Sequence, residues 1–258
     1  MLIVSWNVNS LRVRLPQVLR YLAERSPDIL ALQETKLQDA DFPCAVLEQA
    51  GYACLFSGQK TYNGVAILAR TQPGPALMTE LPGFPDPQRR VLSAAVADLE
   101  VINLYVPNGS EVGSEKYAYK LAWLAALQAT LATRADDRAR VLLGDFNIAP
   151  ADADVHDPAL WSGKILCSEA ERAALTAVTD LGFADCFRRF EQPPGSYSWW
   201  DYRAAGFRRN LGLRIDLVLA SPSLAARCVD SGIDRDVRGW EQPSDHAPVW
   251  ARFAPTTA

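Results

Sequence analysis

Polar residues stand where apolar runs stop, and their types point to one kind of chemistry. Leu2 to Trp6 runs into Asn7, Asp28 to Gln33 into Glu34, and Val141 to Gly144 into Asp145, while Asp245-His246 precedes the run Pro248 to Phe253. Asn7, Glu34, Asp145, Asn147 and Asp245 all offer oxygen donors, which suit a hard cation such as Mg²⁺ or Mn²⁺ better than zinc. Asp145 and Asn147 are two apart, so an extended segment would point both side chains to one face. His246 beside these carboxylates offers a general base, or a positive charge next to a developing oxyanion. Each residue alone also has a structural reading. Asn7 could cap a turn, Asp145-Phe146-Asn147 could form an Asx-turn, and Glu34-Thr35-Lys36 could be a solvated loop with a surface ion pair. His156 has no such neighbours and reads as a surface-loop residue.

The elements that must carry these residues alternate along the chain. Leu15, Val18, Leu19 and Leu22 recur at helical spacing, with Pro16 expected in the first turn. Asp41 before Phe42-Pro43 and Gly51 bracket a second helix, and Glu115 to Arg134 carries Leu121, Leu124, Leu127 and Leu131 on one stripe. Ser168-x-x-Glu171 is a capping box that opens a helix ending before Gly182. Val91 to Asp98 and Val101 to Val106 flank Leu99-Glu100 and predict a hairpin, and Leu213 to Leu219 predicts a strand carrying Arg214 and Asp216. Near-continuous apolar strands are expected where both faces are covered. With no repeat and no linker, residues 1–258 read as a single α/β domain, whose strand ends are the natural place for a site.

The 258 residues are 49% hydrophobic and 22% charged, enough apolar content for a globular core and unlike a disordered chain. The two histidines, His156 and His246, exclude H-E-x-x-H proteases and multi-histidine zinc sites. Five scattered cysteines (Cys44, Cys54, Cys167, Cys186, Cys228) lack a C-x-x-C pair, which argues against a disulfide framework and for a reducing compartment. No segment is long enough to cross a membrane, and the start lacks a charged n-region and a cleavage site, so a cytoplasmic protein is expected. The net charge of −4 argues against a histone-like nucleic-acid binder. Its distribution says more. Arg188, Arg189, Arg203, Arg208, Arg209 and Arg214 face only Glu191 and Asp201 within residues 188–214, interleaved with Phe190, Tyr197, Trp199, Trp200, Tyr202 and Phe207. Basic residues track phosphates and aromatic faces accept bases or sugars, which suits a local, salt-sensitive DNA contact. Trp200 or Phe207 would instead fill the core.

Six segments occur in a telling order: Trp6-Asn7-Val8-Asn9, Leu32-Gln33-Glu34-Thr35-Lys36, Tyr105-Val106-Pro107-Asn108-Gly109, Gly144-Asp145-Phe146-Asn147, Gly212-Leu213-Arg214-Ile215-Asp216 and Ser244-Asp245-His246-Ala247-Pro248. Together they resemble the exonuclease III family of the endonuclease/exonuclease/phosphatase superfamily, over essentially the whole chain. The resemblance implies a two-sheet α/β sandwich with helices packed outside (deoxyribonuclease I-like), and a monomer that uses Mg²⁺, with Mn²⁺ able to substitute. It implies double-stranded DNA with abasic sites, 3′ ends or 3′ blocks as the partner, and transient association with the nucleoid. The implied activities are 3′→5′ exonuclease, 3′-phosphatase or phosphodiesterase, and incision 5′ to abasic sites.

By the same resemblance Glu34 is the principal metal ligand, Asn7 lies beside it, and Asp145, Asn147, Asp245 and His246 complete the metal environment. Asp145 would act as general base or proton shuttle, and Asn147 would hold the attacking water or a phosphate oxygen. His246 would contact the scissile phosphate, oriented by Asp216, whose buried charge needs such a partner. Tyr105 and Asn108 would touch the phosphate or leaving oxygen. Trp199, Leu213 and Ile215 would line an apolar pocket for an abasic sugar or frayed 3′ end. Arg12, Lys36, Tyr62, Arg90, Arg208 and Asn210 would meet the DNA. Two departures stand out. Tyr62 lies one place earlier than the aromatic of enterobacterial members, and the Asn108 to Tyr117 loop carries Glu111 and Glu115 where a basic side chain would help. A member specialised for 3′ ends is therefore an alternative. An inositol-phosphate or phospholipid phosphatase is disfavoured by the Trp/Arg segment, and a catalytically silent DNA-binding relative by the intact ligand set.

Overall fold

The computed structural model describes residues 1–134 and 138–256. Its frame is two six-stranded mixed sheets face to face. The first runs, in spatial order, β13 (Cys228–Ile233), β14 (Val249–Phe253), β1 (Leu2–Asn7), β2 (Ile29–Gln33), β4 (Val65–Ala69) and β3 (Ala53–Ser57). The second runs β5 (Ala76–Met78), β6 (Val91–Val96), β7 (Leu99–Tyr105), β8 (Arg140–Asp145), β12 (Asp216–Ala220) and β9 (Ala184–Asp185). A short ribbon, β10 (Trp199–Trp200) with β11 (Gly212–Leu213), lies apart. The α-helices among the described residues are α1 (Leu11–Arg25), α2 (Cys44–Gln49), α3 (Glu115–Ala132), α4 (Pro158–Trp161), α5 (Glu169–Thr179), α6 (Gly206–Arg209) and α7 (Pro222–Ala225).

Side-chain alternation explains the layers. Ile3, Ile29, Ile67, Val101, Val141 and Val218 meet between the sheets. Their neighbours Val4, Leu30 and Leu32 point outward to Val18, Tyr21 and Leu22 of α1. On the other side Leu104, Leu142 and Leu217 meet Trp123, Leu124 and Leu127 of α3 and Leu175 of α5. Both faces of each sheet are therefore covered, as the near-continuous apolar runs require. One polar bridge crosses the interior: Gln33 Nε2 donates to Asn103 Oδ1 (2.7 Å) and to Ser5 Oγ (3.0 Å). Asn103 Nδ2 in turn donates to the Leu32 and Ala66 carbonyls. This ties the sheets together at the strand ends that carry the polar residues.

Several boundaries differ from the expectations. The hairpin turns at Ala97-Asp98, with Val96 opposite Leu99, so Leu99-Glu100 lies inside β7. Glu100 can be buried there because Arg134 and Arg140 pair with it and Ser93 donates to it. Helix α1 starts at Leu11, whose N–H meets the Thr35 carbonyl, which places Pro16 in the helix interior rather than its first turn. The carbonyl that Pro16 leaves unpaired belongs to the exposed Arg12, where water can serve it. The Leu213 to Leu219 strand is broken at Arg214-Ile215. Arg214 turns into the interior to meet Asp154 (2.6 Å) and Asp185 (2.8 Å), and β12 begins after it. The capping box of Ser168 and Glu171 forms as expected. All five cysteines are free thiols. Among the described residues no helix is long and apolar enough to cross a membrane.

Candidate active site

The register of the second sheet assembles the site. β8 pairs in parallel with β7, placing Tyr105 opposite Asp145, and antiparallel with β12, placing Asp216 opposite the same residue. Three functional groups from distant segments thus stand in one row. The approach is close. A Cβ on Gly144 (φ +148°) would lie 1.8 Å from the Leu104 carbonyl oxygen, so only glycine lets β8 reach this register just before Asp145. Beyond Asp145 the chain does not stay extended. Asn147 adopts φ 49° and its N–H donates to Asp145 Oδ1 at 2.9 Å. The Asx-turn is real, and it brings Asn147 to the site by a turn instead of by strand alternation.

The first sheet supplies the facing side. Asn7 ends β1 and Glu34 follows β2. Asn7 Nδ2 donates both to Glu34 Oε1 (2.8 Å) and to Asp145 Oδ2 (2.9 Å), which bridges the two sheets. Its Oδ1 is held by the Asn9 N–H at 2.9 Å. Lys36 Nζ sits 2.9 Å from Glu34 Oε2, the ion pair expected of a solvated loop, but half-buried. His246 is buried, and its Nδ1 donates to Asp216 Oδ2 at 2.9 Å while Nε2 lies 3.8 Å from Asp145 Oδ2. The Trp6 indole N–H holds the His246 carbonyl, and Ser198 Oγ accepts from the Ile215 and Asp216 amides. Asp245 accepts from Asn9 Nδ2 and from Trp199 Nε1, both at 3.0 Å. Asn108 Nδ2 donates to Asn147 Oδ1 (2.9 Å), and Asn147 Nδ2 donates to the Val106 carbonyl.

Burial and charge set the protonation states. Burial, reinforced by the charges of Asp216 and Glu34, pushes Asp145 up to about 7 against the pull of His246 and Asn7. Burial opposes the imidazolium form of His246, but the charges of Asp216 and Asp145 outweigh it and push this group up to about 10. Burial also raises Asp245, yet His246 and the bonds from Trp199 and Asn9 more than compensate and leave it below the usual carboxylate range. The Tyr105 phenol is held well above its ordinary value by burial and by the carboxylates of Glu34 and Asp145. At neutral pH the site therefore contains a cationic histidine, a neutral phenol and a carboxyl poised to exchange a proton.

The sequence model of the endonuclease/exonuclease/phosphatase family matches residues 4–246. The chain belongs to this family. It is 39% identical over 270 residues to exodeoxyribonuclease III of Haemophilus influenzae, covering 97% of this chain and 98% of that protein. Among solved structures it resembles the 3′ phosphatase NExo from Neisseria bound to product DNA hairpin. The two are 50% identical with a TM-score of 0.96, over 98% of this chain and 99% of that one. An AP endonuclease from Archaeoglobus fulgidus is 41% identical with a TM-score of 0.93, again over 98% and 99%. The two-sheet sandwich expected from the resemblance is the observed architecture.

In this family member, Glu34, Asp145 and His246 bring one ligand atom each within 4.8 Å of one another. The carboxylate oxygens of Glu34 and Asp145 are the donors of this set best suited to a hard cation. Both already converge on one hydrogen-bond donor, the Asn7 amide N–H. Asn7 presents this donor and not its oxygen, and both oxygens of Asp245 are occupied by Asn9 and Trp199. Asn7 and Asp245 are thus held in place beside the carboxylates, and Asn147 is likewise engaged on both amide atoms.

The DNA-side residues divide. Tyr62 is 67% exposed and lines, with Arg90, Tyr105, Asn108 and Lys116, a cleft of about 440 Å³ that adjoins the site. Arg90 lies over the Tyr105 ring at 4.6 Å and donates to its carbonyl. Arg12 is exposed on α1, 3.8 Å from Asp41, and Arg208 is exposed beyond β10. Others are structural. Asn210 accepts from the Trp200 indole and donates to the Gly195 carbonyl, which closes its loop. Arg214 is 1% exposed on Asp154 and does not belong with the DNA-facing arginines, whereas Arg188 pairs with the same carboxylate from an exposed position. Trp200 is fully buried, with Phe207 edge-on against it. Leu213 and Ile215 do share a cluster with Trp199, but they are buried there by Leu166, Cys167, Val155 and Ala149. His156 is partly buried, bonded to the Gly212 carbonyl and set edge-on to Trp161. Sequence reasoning missed Asn9, although it lies in a quoted motif, and the buried pair Lys120–Glu171. The signal for Lys120 was a lysine on the same helical face as Trp123, Leu124 and Leu127.

Proposed function

We propose that the protein is a divalent-metal-dependent DNA phosphoesterase acting on double-stranded DNA, chiefly at 3′ ends, where it removes nucleotides and terminal phosphates. The observation that carries this reading is the buried Asp216–His246 pair set against Asp145 at the edge of the Glu34 carboxylate. His246 presents a fixed positive charge to a phosphate oxygen, held in place by Asp216. Asp145 accepts the proton of the attacking water and is the group in the site able to gain one near neutral pH. The Asn108–Asn147 pair orients that water or a phosphate oxygen, and Tyr105, neutral throughout, donates a hydrogen bond to the departing oxygen. When bound between Glu34 and Asp145, a divalent cation supplies charge neutralisation for the phosphate and the leaving group.

The filled cluster around Leu213 and Ile215 favours 3′ ends over internal abasic sites. Leu166 and Cys167 pack behind Leu213 and Ile215 and leave little depth beside Trp199 for an extrahelical sugar. The exposed Arg208 and Arg209 supply phosphate contacts, while Arg203 is paired with Asp201. One chain holds every site residue, which supports a monomer of a single domain. The five free thiols support a reducing, cytoplasmic setting.

Labelled duplexes carrying a 3′-phosphate, a plain 3′-hydroxyl end or an internal abasic site test this reading at fixed salt with Mg²⁺. The two end substrates should turn over faster than the abasic duplex. Hydrolysis of none of them would reject the assignment, and full activity in excess chelator would remove the metal from it.

A further inference from the structure

Lys120 is the one lysine of α3 with no exposed surface, and it lies directly beneath the site. Its ammonium spends all three protons on three acceptors: the Asn147 carbonyl (2.6 Å), the Asn108 carbonyl (3.1 Å) and Glu171 Oε1 (2.5 Å). The two carbonyls belong to the two residues whose side-chain amides bond each other over the reacting centre. Glu171 is itself immobilised, since Oε1 accepts from the Leu166 N–H and Oε2 from the Ser168 N–H and hydroxyl. The loop after Asn108 also packs on the lysine stem. A Cβ on Gly109 (φ +90°) would meet Lys120 Cδ at 3.1 Å and Ile165 Cδ1 at 2.9 Å.

A pair like this is a poor way to gain stability, because burying two charges costs about what their attraction returns. It is a good way to hold geometry. Three acceptors in a pyramid around one nitrogen suit an ammonium, and neither a planar guanidinium nor an apolar side chain replaces it. We propose that Lys120, with Glu171 as its counter-charge, is a positioning residue: it fixes the backbones of Asn108 and Asn147 so that their amides meet the phosphate and water in register with Asp145. This rests on the phosphoesterase reading given above.

The test is the charge-free pair Lys120→Met/Glu171→Leu, with Glu171→Gln alone as the milder variant should the pair fail to fold. Circular dichroism and melting establish the fold, and kcat and KM are measured on the 3′-phosphate duplex. The paired substitution should lower kcat by about 10²-fold while KM stays within about threefold, with a smaller drop in kcat for Glu171→Gln. A merely structural role is separated by repeating each change in an Asn147→Ala background. With the Asn147 amide gone and its bond to Asn108 lost, the further loss should shrink well below that in the parent, a non-additivity that destabilisation alone does not produce. A folded variant with parental kcat, or a loss that adds in full to that of Asn147→Ala, overturns the inference. An inactive parent enzyme would instead sink the functional reading, and this inference with it.

Discussion

Replacing Asp216 by Asn removes the carboxylate that keeps His246 charged while preserving side-chain size. In the native site Nδ1 lies 2.9 Å from Asp216 Oδ2, both groups are buried, and His246 is pushed up to about 10. Two unit charges about 3 Å apart at an effective dielectric near 20 attract by about 5 kcal/mol, roughly 4 pKa units. Losing that attraction would bring His246 down to about 6, since burial continues to oppose the cation. The native imidazole would then be charged throughout pH 6–8, whereas the variant's charged fraction would fall from about one half to about one hundredth over the same range. The ratio of variant to native rate should therefore drop about 50-fold between pH 6 and pH 8 if the cation serves the phosphate. Proton NMR can follow the titration directly, because the sequence has two histidines and a His156 substitution assigns the signals. A native His246 that titrates near 6.5, or a rate ratio flat with pH, would refute the reasoning.

Three further outcomes follow from the site and its surroundings. Arg214→Met leaves Asp154 and Asp185 without their buried partner and should cost about 3–5 kcal/mol in urea unfolding. By contrast, Arg208→Ala should leave stability within about 0.5 kcal/mol and reduce the salt slope of DNA binding by about 1; equal effects on both measurements would contradict the division drawn here. Because Asp145 is pushed up to about 7 and a cation needs its ionised form, Mg²⁺ binding should release protons. Calorimetry in buffers of different ionisation enthalpy should read about 0.9 proton at pH 6 and about 0.1 at pH 8. No release at pH 6 would remove Asp145 from the ligand set.

Much of the site was legible because strands covered on both faces run almost unbroken and then stop at a polar residue, as at Asn7, Glu34 and Asp145. What joins those stops was not legible. The row Tyr105, Asp145, Asp216 depends on register between strands far apart in the chain, for which no local pattern exists. Charge counted along the sequence misled for a related reason. Arg188 and Arg214 sit in the basic stretch and share Asp154, 34 and 60 residues away, and the pairing holds Arg214 in the interior while Arg188 stays exposed. The hairpin shifted because Ala97, at φ 53°, gives no turn signal, while Glu100 looked like a turn residue until Arg140 was found beside it. Lys120 illustrates the remaining gap. Its helical face was readable, but the Glu171 carboxylate that lets it stay charged there comes from another helix.

The pairing of β1 with β14 has a consequence for how the protein is made. β1 is made well before β14, for His246, whose carbonyl Trp6 holds, lies 240 residues after that tryptophan. At roughly 5–20 residues per second, that separation is on the order of tens of seconds of synthesis. During that interval the edge of β1 lacks its antiparallel neighbour, and the acidic residues have no imidazolium beside them. A nascent chain halted before residue 245 would carry Asn7, Glu34 and Asp145 but no His246. The site is therefore complete only once the segment leading into β14 is made and closes the sheet against β1.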